Sequence, residues 1–475
     1  MKLNELTIIE ALRGIKEKKF SAVELTHACL DRIKEVDNKI KAFITVCEKR
    51  ALEEAKKADK LINHQLSAIN HQPLLGIPFA IKDNFCTKGI KTTAASNVLK
   101  DYIPVYDATV VKKLKNAGAI ILGKTNMDAW AHGSSTETSD FFTTKNPWDL
   151  NRLPGGSSGG SAAALISNEC IFAIGSETAG SIRQPAAWCG TTGFKPTYGL
   201  VSRNGVIAMA SSTDSPGPIT KTIEDAALVL KVLAGKDKFD ATTKRSNLVM
   251  NKVRPLRKSL RGLRIGVPKE YFIKEMDKEV IKKVKEAIKL FKNEGLVIKE
   301  VSLLDPKYSV AVYTVIQRSE VSSNLARYDG IRFGNDRTKF GDEAKNRIML
   351  GTYTLSAGYY DQYYLKAQKV RTLICQDFED VFKSVDVLIA PTTPTSALEI
   401  GASEKSPMFG ELQDILVEAS SMAGLPGVNL PCGFTKNNLP IGMQIIGPQF
   451  SEELLFKVGH GYQQLTNWHK KRPKI

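Results

Sequence analysis

Between residues 154 and 199 the chain is dense in glycine, serine and threonine, and this stretch limits the possible folds more than any other. Composition of that kind suits a flexible linker. Apolar runs of helix and strand length, at 162–166 and 170–174, interrupt it. A linker stays polar, so the segment reads as a packed scaffold. It offers a glycine-rich loop, a small-residue helix, a strand and a second glycine turn. Glycine adopts conformations closed to other residues, so such a scaffold can present backbone N–H groups at close range to a ligand.

The flanking sequence alternates helices with buried strands. Leu6, Ile9, Leu12 and Ile15 recur at helical spacing. Ser21-Ala-Val-Glu24 forms a capping box, and Leu25, Cys29, Ile33 and Val36 follow on one face. His27 on that helix reads as a surface or packing residue. An apolar run over 74–81 ends at Lys82-Asp83-Asn84, and strand-like runs recur at 119–122, 263–267, 297–301, 385–390, 427–430 and 441–446. Helices are predicted over 276–294 and through much of 308–382. The alternation predicts an α/β layered fold. At 475 residues a prior of about three units applies, but one α/β domain can run this long. The polar, basic stretch 235–262, which includes Lys244, Arg245, Arg254, Arg257 and Lys258, reads as a surface connection.

Lys+Arg outnumber Asp+Glu by 67 to 50, a net charge of +17. That balance favours a polyanionic partner, and it equally suits a lysine-rich solvated surface, so charge alone names no partner. The seven cysteines are scattered and never spaced C-x-x-C, which argues against a zinc ribbon or a disulfide framework and fits a reducing cytosol. The first twenty residues carry no apolar core of a signal peptide, and no uninterrupted apolar run reaches membrane-spanning length. Cytoplasmic location is the expectation. Six histidines occur without metal-ligand spacing, so a hydrolytic base here need not be histidine.

Three pieces can carry chemistry. Lys82 directly follows an apolar strand. Burial there disfavours the ammonium form and prepares a general base, although a strand-end lysine is more commonly a surface residue. Gly155-Gly156-Ser157-Ser158-Gly159-Gly160-Ser161 supplies hydroxyls on a permissive backbone. A phosphate loop is the rival reading, but the run lacks the Gly-Lys-Ser/Thr ending. Gly175-Ser176-Glu177-Thr178-Ala179-Gly180-Ser181 is a tight turn after a buried strand. Successive free N–H groups there, from Thr178, Ala179 and Gly180, can hold a developing oxyanion, and losing one such donor costs about 3 kcal/mol. Ser181 can alternatively be a helix N-cap.

The run 155–185 with Lys82 upstream resembles the signature of the amidase superfamily. The resemblance implies an amidase-signature fold over 1–475, with a large central mixed β-sheet covered by helices on both faces. Within it lie an N-terminal helical segment over 1–65 and a signature core over 66–230. It further implies a Ser–cis-Ser–Lys triad, in which Ser181 is the nucleophile, Ser157 the bridging serine and Lys82 the base. PLLGIPFAIKDN, GKTNMD, GSSTE, RYDGIRFG and AGLPGVNLPCG further resemble the glutaminase subunits of tRNA-dependent amidotransferases. That resemblance implies glutamine as acyl donor, with Arg347 on its α-carboxylate, Asp414 on its ammonium and Tyr313 nearby. A guanidinium fork suits a carboxylate. It also implies a misacylated tRNA, no cofactor in this chain, and two partners: a B subunit that uses ATP and Mg²⁺, and a small C subunit.

The pattern departs from the family at several points. Glu177 and Ala179 stand where Asp and Gly are usual, Ala129-Trp130-Ala131-His132 replaces Glu-Phe-Ala-Met, and the stretch after Phe333 is about ten residues short. Two other readings compete: a stand-alone amidase for aliphatic or aryl amides, and a basic RNA-binding scaffold.

Overall fold

The apolar run ahead of Lys82 is a buried strand near one side of a single large sheet. The computed structural model describes residues 2–64, 72–245, 261–331, 335–406 and 408–475. Among them are the strands β1 (Phe43–Val46), β2 (Pro78–Lys82), β3 (Ile120–Thr125), β4 (Phe172–Glu177), β5 (Thr192–Lys195), β6 (Ser215–Thr220), β7 (Arg264–Pro268), β8 (Val297–Val301), β9 (Val387–Pro391), β10 (Gly427–Phe434) and β11 (Pro440–Ile446). They form one sheet in the order β1-β3-β2-β4-β6-β5-β10-β11-β9-β7-β8. Strands β3, β2 and β4 are parallel, as are β9, β7 and β8, and the strands between these groups pair antiparallel.

Every residue of β2, β3, β4, β5, β6, β9 and β11 is buried. Successive side chains of a strand point to opposite faces, so unbroken burial means that both faces are covered. The edge strand β8 is by contrast largely exposed. This is the mixed α/β sheet that the sequence implies.

The capping box at Ser21 forms, with Ser21 Oγ accepting from Glu24 N–H, and Leu25, Cys29, Ile33 and Val36 are buried on the helix Ala22–Ile40. His27 faces solvent. The 1–65 segment is not wholly helical: β1 lies inside it and pairs with β3. Four residues with a register shift leave little periodicity to read. Strand β6 also escapes the sequence pattern, because Pro216 and Pro218 argue against an interior strand. They fit because β5 pairs only with Ile219 and Thr220 of β6, which leaves the proline segment paired on one side. The expected basic connection begins as packed structure: Asp237 accepts from Thr109 and Ser202, and Asp240 pairs with Arg203 at 2.8 Å. Residues 246–260, with Arg254, Arg257 and Lys258, lie outside the described residues.

The parallel neighbours β2 and β4 end side by side. In such sheets ligand sites collect at the carboxyl ends of the strands. Lys82 is the last residue of β2, and the glycine turn leaves the same end of β4.

Candidate active site

Lys82 is fully buried. Its Nζ donates to Ser157 Oγ at 2.7 Å and to the Ser176 carbonyl at 3.1 Å. Burial pushes the amine down to about 7, against the raising influence of Asp128, Asp214 and Glu177. Lys195 and Lys221 are also buried and pushed down to about 7, but their amines bond only backbone carbonyls. A hydroxyl partner sets Lys82 apart.

Ser157 follows a cis Gly156–Ser157 peptide bond and precedes the helix Gly159–Ile166. Gly156 must be glycine, because a Cβ there would overlap Asp128 Oδ2. Asp128 accepts from the N–H groups of Ser135 and Thr136 and from Thr138 Oγ1. Burial raises its carboxyl to about 6.

The turn after β4 leaves its donors free. None of the N–H groups of Thr178, Ala179, Gly180 and Ser181 donates to a protein acceptor among the described residues. Ala179 has a negative φ, so alanine fits where the family usually has glycine. Its carbonyl accepts from Ser421 Oγ at 2.5 Å and from Arg183 Nη2 at 3.1 Å. In a trans peptide the C=O and N–H point oppositely, so fixing this carbonyl aims the Gly180 N–H the other way. Thr178 is held through its hydroxyl, which donates to Asp214 at 2.6 Å. Burial raises Asp214 to about 6.

Ser181 is not a helix cap. The helix Arg183–Cys189 starts after Ile182, and Glu177 Oε2 accepts from the N–H groups of Ile182 and Arg183, both at 3.0 Å. The extra methylene of Glu177 thus reaches the helix start and leaves Ser181 Oγ uncommitted. That oxygen makes no hydrogen bond to protein among the described residues, so the Ser157–Ser181 link is not formed here. The two serine segments do lie side by side, with Ser158 N–H donating to the Ser181 carbonyl at 3.1 Å. Catalytic hydrogen bonds often tighten only when substrate binds.

Glu177 and Arg183 form a fully buried pair at 2.6 Å, and Arg183 also donates to Ser420, Ser421, Gln444 and the Val417 carbonyl. Removing one partner of a buried pair leaves the other charge uncompensated. Arg183→Leu is therefore expected to lower unfolding free energy by about 3–5 kcal/mol, measured by urea denaturation. A loss under about 1 kcal/mol would mean that this pair does not hold the turn.

The residues implied for glutamine lie beside a cavity of about 740 Å³. Arg347 lines it from the helix Asp342–Leu355, 5 % exposed, with only Nε bonded, to Glu343 at 2.6 Å. Its two terminal nitrogens have no protein acceptor among the described residues. Asp414 joins the cavity wall to the turn. Its Oδ2 accepts from the cavity-lining Ser134 Oγ at 2.7 Å, while Oδ1 is unpartnered and sits against the position that a Cβ on Gly180 would take. Burial raises the Asp414 carboxyl well above its usual range. Tyr313 is buried within the fields of Arg347, Glu418, Asp414 and Glu411. Lys82, Ser157 and Ser181 do not line this cavity. The wall of Ser134 and Ser135 separates it from the glycine loop, Ser135 N being 2.6 Å from a Cβ placed on Gly156.

Of the departures from the family pattern, Trp130 packs against Tyr328 and Phe340 at 4.8 and 5.2 Å between ring centres, and His132 lines the cavity. The shortened stretch starts at residues 332–334, which lie outside the described residues. Asp128 and Asp214 carry no local sequence signal, because their roles arise from contacts across the fold. A Gly-flanked position against an acid would have been the only hint of Asp128.

Residues 24–456 match the protein family described as Amidase. The chain is 51% identical, over the full length of both, to the A subunit of the glutamyl-tRNA(Gln) amidotransferase of Carboxydothermus hydrogenoformans. A crystal structure of the same protein from Thermotoga maritima is 42% identical, with a TM-score of 0.82 over 98% of this chain and 95% of that one. The peptide amidase of Stenotrophomonas maltophilia shares the fold at 28% identity, with a TM-score of 0.83 over 97% of each chain.

Proposed function

The chain belongs to the amidase family, and we propose from that membership that it is the glutamine-hydrolysing component of a glutamyl-tRNA(Gln) amidotransferase. Full-length identity near one half to the A subunits of such enzymes supports this over a stand-alone amidase. The observation that carries the chemistry is a buried amine near its titration point, bonded to Ser157, under a turn of free amides that ends at Ser181.

Ser181 Oγ attacks the side-chain amide carbon of glutamine. Its proton passes to Ser157 Oγ while the Ser157 proton passes to Lys82 Nζ. An uncharged amine can take it along the 2.7 Å contact. The carbonyl oxygen gains negative charge and meets the N–H groups of the 178–181 turn. Nitrogen leaves poorly as an anion, so the relay runs back and protonates it as the C–N bond breaks. Ammonia departs, a glutamyl ester remains on Ser181, and water attacks the ester by the same relay to release glutamate.

Arg347 and Asp414 supply opposite charges for the two ends of an amino acid. In this reading ammonia passes to a B subunit that activates misacylated Glu-tRNA(Gln), or Asp-tRNA(Asn), with ATP and Mg²⁺, and a C subunit completes the heterotrimer. No helix among the described residues is long and apolar enough to cross a membrane, in keeping with a cytoplasmic placement.

The test is ammonia release by the complex from glutamine, propionamide and benzamide. Glutamine is expected to be preferred, and Arg347→Ala to raise its KM by about 10- to 100-fold with kcat far less affected, since the carboxylate is remote from the breaking bond. Equal turnover of all three amides, or an unchanged KM in the Arg347→Ala variant, would overturn the glutamine reading.

A further inference from the structure

His132 stands at the cavity wall with no protein partner for either ring nitrogen among the described residues. It is 1 % exposed and follows the 3-10 turn Ala129–Ala131. Burying a polar group without a partner is destabilising, so a core imidazole is normally bonded. The charges that reach the ring are those of Arg347 and Arg318. With burial they hold the imidazole well below its usual range, so the ring is neutral, with one donor and one acceptor nitrogen. Arg318 is matched by Glu411 at 2.8 Å, and Glu343 occupies only Nε of Arg347. A cationic ligand group beside His132 would be repelled by the guanidiniums, whereas an anionic group would be drawn in.

We propose that His132 is a specificity-determining residue: its ring N–H donates to the α-carboxylate of the acyl donor that Arg347 grips. The inference rests on the glutamine reading of the site. Arg347 supplies charge and a planar fork, while His132 adds a fixed, uncharged donor from a second element. This bond is remote from the amide that breaks, so it contributes equally to ground and transition states. Its loss raises KM and leaves kcat unchanged.

The experiment uses the purified complex, with His132→Leu and His132→Phe to remove the N–H at two side-chain volumes and His132→Gln to retain a donor. The substrates are glutamine and 4-aminobutanamide, which is glutamine without the α-carboxylate. Both apolar variants are expected to raise the glutamine KM about tenfold with kcat within about twofold, and to leave kcat/KM for 4-aminobutanamide unchanged. His132→Gln is expected to recover part of the loss. An unchanged glutamine KM, or equal losses on both amides, would overturn the inference. Failure of the unsubstituted complex to hydrolyse glutamine would instead contradict the function proposed above and remove this inference with it.

Discussion

Ser181→Ala is expected to reduce glutamine hydrolysis by about 10,000-fold or more while the protein stays folded. The hydroxyl is placed to form the acyl bond, at the end of a turn whose four amides have no protein acceptor among the described residues. Its removal disturbs little else. Ser181 Oγ holds no protein hydrogen bond among the described residues, and the helix that follows is capped by Glu177. Unfolding free energy is accordingly expected to stay within about 1 kcal/mol of the parent, since no cap or buried bond is lost. Ammonia release and urea denaturation of the same preparation check both parts. Retention of more than about one hundredth of the activity would assign the nucleophile elsewhere.

Lys82→Met is expected to cost about 1,000-fold in kcat, the scale of a lost general base. Methionine keeps an unbranched chain at a fully buried position and removes an amine that burial already keeps near neutrality. The Ser176 carbonyl retains Ser158 Oγ as a donor at 3.2 Å, so the fold tolerates the change. Lys82→Arg is expected to be equally inactive and less stable, because a guanidinium stays charged in the same dry site and cannot accept the Ser157 proton. Steady-state kinetics beside denaturation separates the two effects. A Lys82→Met variant with near-parent kcat would remove the lysine from the mechanism.

Local signals were readable in the sequence where one segment builds its own geometry. The apolar run before Lys82, the glycine loop around Ser157 and the turn before Ser181 each announce a strand end or a backbone scaffold. Bringing them together needed the parallel pairing of β2 and β4, which no local pattern states. The cap at Ile182 and Arg183 was hidden for the same reason: Glu177 reads as a strand residue, and serine is the better-known cap. Strand β6 was obscured by its prolines, which are tolerated only because β5 ends beside them. Asp128, Asp214 and His132 acquire their environments from segments distant in the chain, and single residues carry no periodicity. Arg347, Asp414 and Tyr313 came from family resemblance alone. As isolated residues they read as ordinary helix positions until burial and unpartnered polar atoms are seen around them.

The decisive measurement is kcat/KM for glutamine between about pH 5.5 and 8.5 in the parent and Lys82→Met complexes. Burial brings Lys82 from 10.5 to about 7. Below that pH the amine binds a proton and cannot take one from Ser157, so the rate should fall about tenfold per unit, and above it the rate should level off. Asp128 and Asp214, raised to about 6, titrate lower. A one-proton acid limb near pH 7 in the parent, missing from the residual activity of Lys82→Met, is the expected result. A rate independent of pH between about 6 and 8, or the same limb in both proteins, would contradict a neutral Lys82 as the base.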